Sequence, residues 1–219
     1  MKRWSRHASL LVMWGVMFIV GCGGGVFSTS KTLVDPFGLR GRSVNMNSQV
    51  NVDGLTTRLA ADQRDALQFT LSDQSTAGNP YAGMSSMEVL QQATLTFFIS
   101  SGGNVPSTFT LRDVHLRVTI QASESSSRNS PPIEFQYTGF LTLERQTDGS
   151  YRTRESLSFL DELDRFDGSA LIAILTAGGT NTITVHISLT ASASSPNIPS
   201  GSTVSFTLRF DDSSAIVRW

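Results

Sequence analysis

The sequence predicts an all-β domain, an antiparallel β-sandwich of immunoglobulin-like arrangement, on three observations. Apolar and polar residues alternate with a period of two over most of the chain after Ser43, as in strands that bury one face. Runs of Ser, Gly, Pro and Asn separate these stretches, as in 123–132 and 192–202, and such composition marks loops. No long helical pattern lies between the strand candidates, so the crossovers that a parallel sheet requires are not in the pattern. About nine short strands, with one or two short helices in the connections, account for the chain.

The candidates run in order along the sequence. Early strands are expected at 44–52, 67–71 and 95–99. Phe109 and Leu111 then occupy odd positions while Val114, Leu116, Val118 and Ile120 occupy even ones. A β-bulge near Arg112-Asp113 reconciles the two sets by inserting one extra residue. Phe135, Tyr137, Leu141 and Leu143 form the next inward set, and Asp148-Gly149 supplies a hairpin turn into a strand near Tyr151. The cleanest alternation places Ile183, Val185, Ile187 and Leu189 on one face, with Thr184, His186 and Ser188 on the other. Val204, Phe206, Leu208 and Phe210 repeat it near the end.

Helical signals interrupt twice. Ser85 with Glu88 fits a capping box ahead of Met87-Glu88-Val89-Leu90. Leu160, Leu163 and Phe166 recur at helical spacing before Asp167-Gly168, and a second apolar turn, Ala170 to Leu175, runs up to Gly178-Gly179. Phe98 and Phe140 fall opposite the main apolar sets of their strands, as an exposed patch for a protein partner or, the favoured reading, as the lining of a second core.

The first residues follow a different logic. Lys2, Arg3 and Arg6 precede an apolar run from Leu10 to Val20, which is shorter than the ~20 residues that a spanning helix needs. Positive start, apolar middle and small-residue end are the parts of an export signal. Ile19-Val20-Gly21-Cys22 resembles the lipobox of bacterial lipoproteins. The resemblance implies cleavage between Gly21 and Cys22, a diacylglyceryl group on the Cys22 sulfur and a fatty acyl group on the new amino terminus. It divides the chain into a signal peptide (1–21), a lipidated cysteine with a flexible tether (22–42) and a single sandwich domain (43–219). A tether of that length reaches ~25 Å on average. The exported product is then anchored to a bacterial membrane, either the outer membrane or the outer face of the cytoplasmic one. Gly23 stands where many inner-membrane lipoproteins carry Asp.

Composition narrows the function classes. The formal net charge is −1, and the three basic residues of the signal leave the rest more acidic, so no basic patch calls for a nucleic acid. Cys22 is the only cysteine, and once lipidated it leaves no thiol for a disulfide or a metal. Asp113, His115 and Arg117 share one strand face, the beginning of a general-base pair or a metal site. Alternation nevertheless places His115 and His186 on polar, solvated faces. No nucleophile elbow, zinc-binding helix, Walker loop or dinucleotide fingerprint occurs in the sequence. Asp161, Glu162, Asp164 and Asp167 cluster, but without the spacing of a calcium loop, and fit a solvated helix face. Beyond the signal, Trp219 is the only tryptophan and Tyr81, Tyr137 and Tyr151 the only tyrosines, few for a carbohydrate platform. The terminal run Ala215 to Trp219 resembles the closing strand of outer-membrane barrels, although the expected strands are too short for one.

These readings converge on a membrane-anchored, non-enzymatic module that binds or scaffolds an envelope protein, with no cofactor, metal or catalytic residue assigned. The alternative is a hydrolase or metal-dependent enzyme using His115 or His186. Convergence of both histidines and a carboxylate in one concavity would favour the enzyme.

Overall fold

Period-two alternation becomes strand after strand in the three-dimensional structure, a computed structural model that describes residues 30–71, 84–100, 106–124, 129–154, 156–176, 181–194, 197–198 and 201–219. The elements are β1 (Ser30–Val34), β2 (Ser43–Asp53), β3 (Thr56–Leu71), β4 (Ser86–Ser100), β5 (Thr108–Glu124) and β6 (Ile133–Arg145). They continue with β7 (Tyr151–Thr153), β8 (Leu157–Leu163), α1 (Arg165–Leu175), β9 (Asn181–Ser194) and β10 (Thr203–Arg218). The protein is all-β and antiparallel, as expected. The lipobox, Cys22, Tyr81 and Gly178-Gly179 lie outside the described residues.

The sheet closes on itself. In the order β10-β2-β3-β9-β5-β6-β7-β4, each strand pairs with the next, and β4 pairs back to β10 from Thr203↔Ser100 to Arg218↔Ser86. The result is an eight-stranded antiparallel barrel rather than two separate sheets. Alternation could not reveal this, because it says which face of a strand is buried and not which strand lies beside it. β1 continues the line of β2 along β10, and β8 continues that of β7 along β4. Three joints of the ring are short: β2 meets β3 through Gln49–Asp53 against Thr56–Ala60, β6 meets β7 through Leu143–Arg145 against Tyr151–Thr153, and β7 meets β4 through Tyr151-Arg152 against Thr96-Phe97.

An eight-stranded barrel is just wide enough for side chains to fill it, and here they do. Met87, Val89, Leu95 and Phe97 of β4 face Val185, Ile187 and Leu189 of β9 and Phe206, Leu208 and Phe210 of β10, all buried. Phe97 stacks 5.6 Å from Phe206, and Phe109 meets Tyr151 edge-on at 4.9 Å. The outward faces carry Thr184, His186, Ser188 and Thr190 on β9 and Arg112, Arg117 and Thr119 on β5. That polarity is the reverse of a lipid-facing band. The strands themselves, 13 to 17 residues in β3, β4, β5, β6, β9 and β10, exceed the expected length. Polarity therefore distinguishes this barrel from a membrane-spanning one; strand length does not.

Bulges bend the long strands. The one at Arg112-Asp113 is present, with pairing shifted between Leu111 and Val114 and Asp113 at φ 48°. Others fall at Arg64–Ala66 in β3 and Asp211-Asp212 in β10. Each turns a strand while keeping apolar residues inward on both sides.

Three expectations need correction. The tether does not extend to residue 42, because β1 is already paired with β10 and Phe37 and Leu39 are fully buried. The Asp35 carboxylate accepts the Leu39 N–H and holds that turn. No helix forms at 87–90, where ladders to β8 and β10 prevail over the local capping signal. Nor does one form at 160–163, which is strand; the helix begins at Arg165, capped by the Asp164 carboxylate at the Phe166 and Asp167 N–H groups. Ala170 to Leu175 is helical as expected. α1 closes one end of the barrel, with Gly168 so near Met84 that an added Cβ would come within 2.6 Å.

Candidate functional site

Beyond the short β6–β7 joint, β6 has a strand neighbour only on its β5 edge. β8 runs opposite its other edge but does not pair with it along a ladder. The two are bridged near α1 by the Asp161 carboxylate, which accepts the Glu134 N–H at 3.1 Å, and Phe135 packs 5.9 Å from Phe159 beneath. Further along, a cleft of about 450 Å³ opens between β6 and the residues around the ends of β7 and β8. Tyr137 to Thr142 form one wall, and Thr153, Arg154 and Ser156 to Ser158 form the other.

The cleft combines apolar surface with unspent hydrogen-bonding capacity. Phe140 is 68 % exposed at its rim. The Tyr137 hydroxyl donates to the Phe140 carbonyl at 2.7 Å, and partial burial raises the pKa of this phenol, so it remains a donor through the physiological range. Gly139, at φ 141°, holds a backbone angle that strains any residue with a side chain. In the opposite wall the Thr153 hydroxyl is buried without a hydrogen-bond partner. Such a group costs free energy unless something in the cleft satisfies it. Arg154 closes one end through an ion pair to Glu144 at 2.6 Å.

The histidines do not meet in a concavity. His186 Nε2 lies 2.6 Å from Asp62 Oδ1 on the outer face of β9 and β3. His115 is exposed on β5, beside Thr190 of β9 and Thr138 of β6, while His186 is beside Thr119 further along β5. Asp113 sits at the bulge and accepts the Ser192 hydroxyl at 2.7 Å instead of facing His115. The acidic cluster is divided as well: Asp161 and Glu162 belong to β8, Asp164 caps α1 and Asp167 lies in its first turn. Among the described residues, no group of three or more His, Cys, Asp and Glu side chains could hold a metal ion.

Phe98 and Phe140, whose outward register was visible in the sequence, are both exposed and line no second core. They are not neighbours: Phe98 pairs across to Ser205 on β10, and Phe140 lies at the cleft. Thr153 and Arg154 carried no sequence signal, because their importance arises from the break between β7 and β8.

No family model and no curated protein sequence matches the chain. Among solved structures, it aligns with the VP2 subviral particle of infectious bursal disease virus at 11 % identity and a TM-score of 0.18, covering 96 % of this chain and 45 % of that one. It aligns with the T13 particle of the same virus at 10 % identity and a TM-score of 0.18, covering 96 % and 43 %. The chain thus spans less than half the length of these proteins, and a likeness so slight carries no argument.

Proposed function

We propose that this chain is an exported, lipid-anchored protein of the bacterial envelope whose barrel serves as a non-enzymatic module that binds or scaffolds another envelope component. The observation that carries the binding role is the β6–β8 cleft, where an exposed aromatic ring stands beside a strand edge that has no ladder partner. The anchor rests on the resemblance of Ile19-Val20-Gly21-Cys22 to a lipobox. With the domain beginning by Ser30, residues 23–29 span at most ~25 Å when fully extended, so the barrel stays near its membrane. Ser30 pairs with Arg218 at the end of the barrel closed by α1, and that end would face the lipid while the cleft lies on the flank. The ring is also proposed to act as a flattened sandwich. Its short joints, between β2 and β3 and on both edges of β7, are where two faces would part.

A second reading, a hydrolase or metal-dependent enzyme, draws on the His186–Asp62 pair. That pair is a carboxylate-oriented imidazole, but the Asp62 side chain is 64 % exposed on an open strand face, which favours the binding role.

Labelling producing cells with a radioactive fatty acid tests the anchor. The wild-type chain should take up label and begin at Cys22 by mass spectrometry, and Cys22→Ser should lose the label and accumulate uncut. An unlabelled wild-type chain that begins elsewhere would overturn the proposal.

A further inference from the structure

Alternate residues of a strand aim their N–H and C=O groups at opposite edges, and three hydrogen bonds fix that alternation in β6. The Arg145 N–H donates to Ser107 on the β5 side. The Gln146 N–H donates to Ser150, and the Glu134 N–H donates to Asp161, both on the other side. Even-numbered residues therefore present their backbone groups away from β5. Between Glu134 and the β7 joint, those of Gln136 and Thr138 and the Phe140 N–H face the β8 side with no strand paired against them, while the Phe140 carbonyl already accepts the Tyr137 hydroxyl. An exposed row of this kind is a template for another chain, and proteins ordinarily cover or break it.

From this row we infer that the β6 edge takes up an extended polypeptide segment of a partner, which adds as a strand along Gln136 to Phe140. The inference deepens the binding role proposed above and rests on it. Strand addition draws affinity from main-chain hydrogen bonds and specificity from pockets that receive alternate side chains. Both resources are present. The N–H of Gln136 and Thr138 supplies donors, and Phe140 offers an exposed apolar contact at the rim of the cleft. A peptide backbone carries donors and acceptors in alternation, which suits the strand edge. A glycan would suit the hydroxyls and Phe140 but would have no reason to follow the strand.

Proline at an outward-facing edge position removes one N–H without breaking the ladder on the other side. Thr138→Pro and Gln136→Pro should therefore fold, as melting curves will check, and should weaken strand addition. The full chain would be used to select phage-displayed random octapeptides, with an oligosaccharide array probed in parallel. The expected result is a set of selected peptides that bind wild type, bind Thr138→Ala equally well and bind each proline variant at least roughly tenfold more weakly. Amide exchange at Gln136 and Thr138 should be rapid in the free chain and should slow when peptide binds. Exchange already as slow as at Tyr137, whose N–H faces β5, would overturn the inference. So would peptides indifferent to both proline variants, or no selected peptide at all. If a glycan binds and is lost in Phe140→Ala while no peptide is selected, strand addition fails and the binding role stands; if neither binds, both fail.

Discussion

Two seams interrupt this barrel, and they are treated differently. Past Ala60, β3 continues to Leu71 without β2 beside it. The segment joining β1 to β2 lies against that part of the ring, burying Phe37 and Leu39 in the core and laying the Arg42 guanidinium 3.6 Å over the Phe69 ring. Arg42 is held in turn by the Gly38 carbonyl at 2.9 Å. The bulge at Arg64–Ala66, with Asp65 at φ 50°, twists the exposed edge. At the other seam, between β6 and β8, no segment covers the edge from Gln136 to Phe140, and Phe140 stands in solvent. Covering an edge and bending it are the usual defences against unwanted pairing. A bulge lies at each seam, in β3 itself and in β5 opposite Phe140, but only the first is covered, which is why the second is read as functional.

The largest expected effect separates the seams by stability. Phe37→Ala should cost about 3–5 kcal/mol, as deletion of a buried phenylalanine does, whereas Phe140→Ala should stay within about 0.5 kcal/mol. Urea denaturation of the two variants measures both. Equal losses would erase the distinction between a seam that is part of the core and one that is open.

An intermediate effect lies in the phenols beside the open seam. Tyr151 donates to the Pro106 carbonyl at 2.5 Å and Tyr137 donates to Phe140. Burial raises both pKa values above the ordinary 10.0, with Arg145 partly opposing it at Tyr151. The folded chain thus holds these protons more tightly than the unfolded one. Stability should be full below pH 10 and fall as pH rises beyond it. Tyr151→Phe and Tyr137→Phe should each flatten that decline, at a cost near neutral pH of about 1 kcal/mol for the lost hydrogen bond. Chemical denaturation between pH 8 and 11 would show it. An unchanged slope in both variants would locate alkaline sensitivity elsewhere.

The smallest effect concerns an exposed pair on the outer face at the covered seam, where His186 lies opposite the Arg64–Ala66 bulge. His186→Ala should change stability by no more than about 0.5 kcal/mol despite the 2.6 Å contact with Asp62, because exposed pairs contribute little. A loss above 2 kcal/mol in thermal unfolding would mark that pair as a built site and revive the enzyme reading.

Strand faces were legible in the sequence wherever alternation was uninterrupted. Ile183 to Leu189 and Val204 to Phe210 are buried as read, and the bulge at Arg112-Asp113 followed from the change of parity alone. Signals spanning three or four residues were overruled. The capping pair is split: Glu88 is drawn into β4 and binds Arg218 at 2.9 Å, while the Ser85 hydroxyl, just before the strand, donates to the Arg218 carbonyl at 3.1 Å. Leu160 and Phe166 keep helical spacing yet are both exposed. Phe37 and Leu39 were hidden among glycines and an Asp-Pro pair, since composition records chain flexibility and not the long-range pairing that removes it. For the same reason the cleft was half visible: Phe140 stood out by its register, but the pairing of β6 with β7 over three positions is a property of the whole ring.

The β4–β10 ladder also governs how the ring is made. Its strands are separated by more than a hundred positions, and β10, the last of them to be synthesised, must meet β1, β2 and β4 at once. A topology so dominated by distant partners assembles on the slower scale of milliseconds to seconds. Until β10 arrives, the edges of β1, β2 and β4 are all unoccupied.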